Sequence, residues 1–170
     1  DSSGTEISGP WKLTFPPDWG APPSVLFDSL ISWTESADPG IKYFSGTATY
    51  HNSFNLDAAT VKRKLILDLG ELRDVAEVFI NGRSAGILWK KPYQSDITQL
   101  VRTGRNDLKI EIVNLWVNRI TGDMLSDPKD RYCKTNQSYM KSEVWPGGDE
   151  PFRLQTAGLL GPVTLISQAQ

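Results

Sequence analysis

Hydrophobic and polar positions alternate along the chain in short stretches separated by turn residues. In DLKIEIV, Leu108, Ile110 and Ile112 fall on one face and Lys109 and Glu111 on the other, the period of two expected of a half-buried strand. Leu65, Leu67 and Leu69 alternate with Ile66 and Asp68 up to Gly70, and Trp11-Lys12-Leu13-Thr14-Phe15 follows the same rule. Ile41 to Phe54 is rich in β-branched and aromatic residues and predicts a long strand, with Gly46 at a bulge. Leu26 to Trp33 has strand composition with imperfect alternation. Val75 to Ile80 and Arg83 to Trp89 flank Asn81-Gly82, a pair suited to a type I′ hairpin because both central residues need positive φ. Asp96 is placed to cap a short helical turn over Ile97 to Val101. Phe152 to Leu154 and Val163 to Ser167 predict closing strands joined by AGLLGP.

No long segment carries a 3.6-residue apolar period, and there is no internal repeat. The pattern therefore predicts an all-β fold, an antiparallel β-sandwich of about eight strands. Residues 1–8 are polar and are expected to form a disordered tail, followed by a single domain over 9–170. Gly122 to Pro151 has no periodicity and predicts a long irregular loop before the last strands.

One stretch breaks the pattern. NLWVNRITGD follows DLKIEIV directly. If the alternation continues, Asn114, Trp116 and Asn118 inherit the face that was apolar. An aromatic ring beside planar amide, carboxylate and guanidinium groups suits carbohydrate, since the ring packs on sugar C–H groups while the polar groups bond hydroxyls. Asn114, Trp116, Asn118, Arg119 and Asp123 are the candidate carbohydrate-binding residues, joined by Trp89 at a loop mouth and Trp145 as a candidate lid. Each has a structural alternative. Trp116 and Trp89 are core or contact surface, and Asn118 and Arg119 touch a ligand, brace the loop or form an internal Arg–carboxylate pair. Trp11 and Trp33 are expected in the core, with Trp19 covering the first connection.

Composition narrows the choices. The chain has 170 residues, with 39% hydrophobic and 22% charged positions, enough for one domain with a substantial core. Lysine and arginine number 18 against 20 acids, a net charge of -2, which argues against a nucleic-acid partner. No apolar run approaches the roughly 20 residues needed to span a bilayer, so no membrane partner is expected. The chain begins at Asp1 and is expected to be an excised piece or a mature product.

Cys133 is the single cysteine and His51 the single histidine, so neither an internal disulfide nor a histidine-rich metal site can form. HExxH, GxxxxGK[ST], CxxC and GxGxxG are all absent, and there is no GxSxG elbow, because Gly82-Arg83-Ser84-Ala85-Gly86 has those letters but runs from the Asn81-Gly82 turn into a predicted strand instead of a strand-to-helix turn. Asp149-Glu150 and Asp127/Asp130 are the notable acid pairs, and their spacing says nothing about distance in a fold. Independent catalysis is not expected. Asp127 to Asp130 lacks the glycine and acidic pattern of an EF-hand. No cofactor is expected, although a structural calcium ion held by backbone carbonyls would leave no trace in sequence.

VAEVFINGRSAGILWKKPYQSDITQLVRTGRNDLKIEIVNLW resembles the galactose-binding-like jelly-roll domain of family-2-type glycoside hydrolases. The shared features are VFINGRSAG, an aromatic loop, the SDIT turn, and Gly104, Asn106 and Leu108 in a G-x-N-x-L strand. The extension NLWVNRITGD is similar to the C-terminal domain of family-106 α-L-rhamnosidases. The likeness is good over Leu65 to Asp123, looser over Gly9 to Phe54 and weak over 124–150.

The resemblance implies a galactose-binding-like jelly roll attached to a larger glycan-degrading hydrolase whose catalytic carboxylates lie on another domain. It implies an accessory domain that binds carbohydrate or shapes the active-site cleft, or else a purely structural interdomain module. The implied partners are a plant-type oligosaccharide or polysaccharide and the catalytic domain of the parent hydrolase. The implied location is periplasmic or extracellular.

Overall fold

The computed structural model describes residues 2–134 and 154–168. The strands are β1 (Ser2–Glu6), β2 (Trp11–Thr14), β3 (Ser24–Phe27), β4 (Thr47–Leu56), β5 (Lys64–Asp68) and β6 (Glu71–Arg73). They continue as β7 (Val75–Ile80), β8 (Arg83–Leu88), β9 (Gln94–Asp96), β10 (Gly104–Val113), β11 (Gly158–Gly161) and β12 (Thr164–Gln168). Two short helices are α1 (Pro39–Lys42) and α2 (Val117–Met124). One antiparallel sheet has the order β3-β2-β4-β10-β7-β8, the other β1-β12-β5-β9, and β6 pairs with β11 as a small third ladder. Together they form a mostly β sandwich consistent with a jelly roll. None of the described helices is long and apolar enough to cross a membrane.

Alternation drives the burial. Leu108, Ile110 and Ile112 of β10 lie beside Ala76, Val78 and Ile80 of β7. Leu65 and Leu67 of β5 close the core from the other sheet. Trp11 and Trp33 are buried, as expected. Phe15, Trp33 and Phe44 pack edge to face, with ring centroids 4.9 to 6.3 Å apart. Trp33 Nε1 donates to the Tyr50 hydroxyl at 2.6 Å, and Leu159 N donates to the same oxygen at 3.1 Å. Burial pushes the Tyr50 phenol well above its ordinary pKa, which keeps it neutral in the core.

The hairpin and the G-x-N turn also follow their sequence. Asn81 and Gly82 both have positive φ, 52° and 79°. Asn106 is fully buried and accepts from Arg102 N at 2.8 Å while donating to Arg102 O and Gly104 O. Asn81 donates to Asn106 Oδ1 at 2.9 Å, which ties the hairpin to the turn.

Several expectations fail. The polar start does not form a free tail, because residues 2–6 pair with β12. Backbone pairing needs no hydrophobic side chain and leaves little trace in composition. Trp33 opens a 3-10 turn instead of ending a strand, with Thr34 N donating to the Ser32 hydroxyl at 3.3 Å. Ile41 lies in α1, where Asp38 caps Gly40 N at 2.8 Å, and the predicted long strand starts only at Thr47. The strand expected to continue past Asn114 stops at Val113, and α2 begins at Val117. Pro128–Asp130 forms a 3-10 turn within the predicted loop. Phe152, Asp149, Glu150 and Trp145 lie outside the described residues.

Candidate functional site

The site is built where β10 ends and α2 begins. Asn114 lies one residue past the strand and is buried. Its Oδ1 accepts from Gly46 N at 2.9 Å and its Nδ2 donates to Phe44 O at 3.0 Å. One amide thus holds the segment that leads into β4. Gly46 has φ of 141°, and a Cβ there would lie 3.2 Å from the Phe44 ring, so glycine suits the position.

The α2 helix inverts the usual arrangement. Asn118, Arg119, Thr121, Gly122 and Asp123 are its buried residues. Its first-turn N–H groups lack partners within the helix, and the Ser45 hydroxyl accepts from Arg119 N at 3.0 Å while donating to Leu115 O at 2.9 Å. Arg119 Nε donates to Asp123 Oδ1 at 3.0 Å. Asp123 also accepts from Tyr132 N at 3.2 Å and Cys133 N at 2.7 Å. The Tyr132 ring lies 4.7 Å from the guanidinium carbon, a cation–π contact. Asn118 bonds Gln155 in both directions, Nδ2 to O at 2.7 Å and Oδ1 from N at 2.8 Å. Its amide imitates a strand partner for the chain entering β11.

Trp116 is left in the open, 66% exposed, so its core alternative is overturned. The parity argument fails for Trp116 because the strand ends at Val113 and Trp116 already has helical backbone angles, so a period of two no longer sets its direction. Val113 and Leu115 beside it are also exposed. Below the indole is a cleft of about 170 Å³ lined by Trp19, Ser45, Gly46 and Val113. Asn114, Trp116, Arg119 and Cys133 complete its wall. Burial, followed by the Asp123 charge, pushes the Cys133 thiol up, which disfavours its thiolate form.

The structure therefore brings together Asn114, Trp116, Asn118, Arg119 and Asp123, but commits the polar members to internal bonds. Trp89 stands apart from this cleft, 65% exposed on the loop after β8 with Lys90 Nζ 5.3 Å from its ring. Trp145 lies outside the described residues. Sequence reading missed Ser45, Gly46, Tyr132 and Cys133. Their roles run through backbone groups, one hydroxyl and the Tyr132 ring over Arg119, which no spacing announces. Among the described residues, no group of three or more His, Cys, Asp or Glu is placed to hold a metal.

The chain is 39% identical over 176 aligned residues to a Formosa agariphila protein that carries a β-glucuronidase name, covering 94% of this chain and 15% of that one. The rhamnosidase of Novosphingobium sp. PP1Y superposes with a TM-score of 0.78 at 36% identity, over 99% of this chain and 15% of that chain. A β-D-glucuronidase of Dictyoglomus thermophilum shares the fold, with a TM-score of 0.71 at 18% identity over 99% of this chain and 28% of its own. The chain thus spans well under a third of each of these proteins. The family model for the glycosyl hydrolase 2 galactose-binding domain-like fold matches residues 26–159, and the chain belongs to that family.

Proposed function

We propose that this chain is a non-catalytic accessory domain of a larger, α-L-rhamnosidase-like glycan-degrading hydrolase, and that its α2 end contacts carbohydrate and shapes the active-site cleft of a catalytic domain carried elsewhere. One observation carries this reading. Around Trp116, Asn114, Asn118 and Asp123 hold backbone groups and Arg119 pairs with Asp123, so the exposed indole stands on a rigid wall. A fixed aromatic face costs little entropy when a sugar packs on it. Contact through one ring with few free hydrogen-bond groups yields about 4–6 kcal/mol, or a Kd on the order of 0.1–1 mM. The proposed role uses no cofactor, and the proposed location is periplasmic or extracellular.

Calorimetry of the chain with plant-type oligosaccharides tests the reading. Weak binding that disappears in Trp116→Ala, with the fold retained, supports it. Flat titrations of the folded wild type across a broad panel oppose it. The same exposed stretch, Val113 to Trp116, also favours a second reading, a structural module docked on its parent enzyme with no ligand of its own. Under that reading Trp116→Ala weakens domain association and leaves sugar titrations flat in both proteins.

A further inference from the structure

The outer face of the six-stranded sheet carries a separate chemical pattern. The strand registers align Lys12 of β2, His51 of β4 and Lys109 of β10 in one cross-strand row. Leu26 of β3 extends the row at one end and Phe79 of β7 at the other. Lys12 and Lys109 sit on the two strands either side of His51, so both ammonium groups face the same ring and raise the positive potential above it. Lys109 is partly offset, donating to Glu111 Oε1 at 2.8 Å with Nζ 3.8 Å from the Phe79 centroid. Lys12 makes no ion pair among the described residues. Beside the row runs an open groove of about 520 Å³ lined in part by Lys12, His51, Ser53, Arg105 and Lys109. Arg105 pairs with Asp107 at 3.1 Å in the same groove.

We propose that this groove is a second binding site, for an acidic saccharide whose carboxylate or sulfate group sits between Lys12 and Lys109 above the His51 ring. Neighbouring strands lie about 4.8 Å apart. The two lysine positions are therefore about 10 Å apart, close enough for both flexible ammonium groups to reach one anion. Thr14 and Ser53 present hydroxyls on the same outer face, and the Thr14 Oγ1 lies 3.2 Å from His51 Nε2. The anion part of this inference rests on the charge row alone, while the saccharide part rests on the proposed role in glycan degradation.

The site has its own reporter. Burial, then Lys12 and Lys109, hold the His51 pKa below its ordinary value, with Glu111 opposing them. These are the charged groups that act on it from β2 and β10. An anion between the lysines offsets their field, so His51 takes up a proton more readily in the complex. By linkage, binding then tightens as the pH falls through the His51 midpoint.

His51 is the only histidine, so its ring signals can be followed by NMR without ambiguity. The chain is titrated with a galacturonic acid disaccharide, a sulfated disaccharide, a neutral rhamnose disaccharide, polyglutamate and sodium chloride at matched ionic strength. The expected result is a saturable displacement of the His51 signals and an upward-shifted midpoint with one or both acidic sugars, the stronger response identifying the anionic group. Chloride and the neutral sugar leave the signals in place. Lys12→Gln weakens binding about tenfold, as befits one charge-assisted contact, while the control Lys129→Gln does not. An acidic-sugar response no larger than that of chloride, or unchanged binding in both Lys12→Gln and Lys109→Gln, overturns the site. An equal response to polyglutamate overturns the saccharide assignment. A His51 response that persists in Trp116→Ala separates this groove from the cleft at α2, so either proposal can fail alone.

Discussion

Arg119 and Asp123 form an ion pair one helical turn apart, Nε to Oδ1 at 3.0 Å, with side-chain exposures of only 6% and 5%. The carboxylate also accepts two backbone N–H groups from Tyr132 and Cys133. A buried pair of this kind stabilises little relative to apolar packing, but removing one partner leaves the other charge stranded.

Asp123→Ala is accordingly expected to cost about 3–5 kcal/mol of stability. Urea denaturation measures it. The double variant Arg119→Met, Asp123→Leu is expected to recover much of the loss. A single-variant effect below about 1 kcal/mol would mean that water or another group replaces the carboxylate.

The two tryptophans at opposite extremes of exposure give a contrast. Trp33 is fully buried and donates to Tyr50, so Trp33→Ala is expected to lose about 3–5 kcal/mol. Trp116 is 66% exposed, and its replacement by Ala is expected to stay within about 0.5 kcal/mol of wild type. A large fall in Tm for Trp116→Ala would return that residue to a structural role.

Tyr50→Phe removes the oxygen that receives both Trp33 Nε1–H and Leu159 N–H. Two buried donors are then unpaired, and a loss of about 1–3 kcal/mol or more is expected in thermal or chemical unfolding. An effect near zero would show that the core rearranges to satisfy them.

The pH dependence of stability carries a His51 signature. Its folded pKa is depressed by burial and by Lys12 and Lys109, while the unfolded side chain titrates near its ordinary value of about 6.5. Just below that pH the unfolded chain binds a proton that the folded chain refuses. The stabilisation is therefore present above about pH 6.5 and declines as the pH falls toward the folded midpoint. Unfolding curves of wild type and His51→Gln are expected to diverge in this window. Parallel pH profiles would contradict the assignment.

The sandwich was legible because its strands follow local rules. Leu108, Ile110 and Ile112 alternate cleanly, and Asn81-Gly82 can hardly avoid a tight turn. The helix α2 was not legible because its buried face is polar. Asn118, Arg119, Thr121 and Asp123 point inward while Leu125 and Trp116 are exposed, so an apolar 3.6-residue period never appears. Its first turn is held instead by Ser45, a residue 74 positions away from Arg119. The cluster Asn114, Trp116, Asn118, Arg119 and Asp123 was visible as a break in alternation. Which members were buried depended on where β10 gave way to helix, and long-range hydrogen bonds decided that point.

The most direct test of the rigid-wall account follows the six indole N–H signals of the tryptophans during an oligosaccharide titration by NMR. The account predicts that the Trp116 signal moves saturably while those of buried Trp11 and Trp33 stay in place, and that the Ser45, Asn114 and Arg119 amides hold their positions. A Trp116 signal that never moves across a broad panel of oligosaccharides, while the protein remains folded, would contradict it.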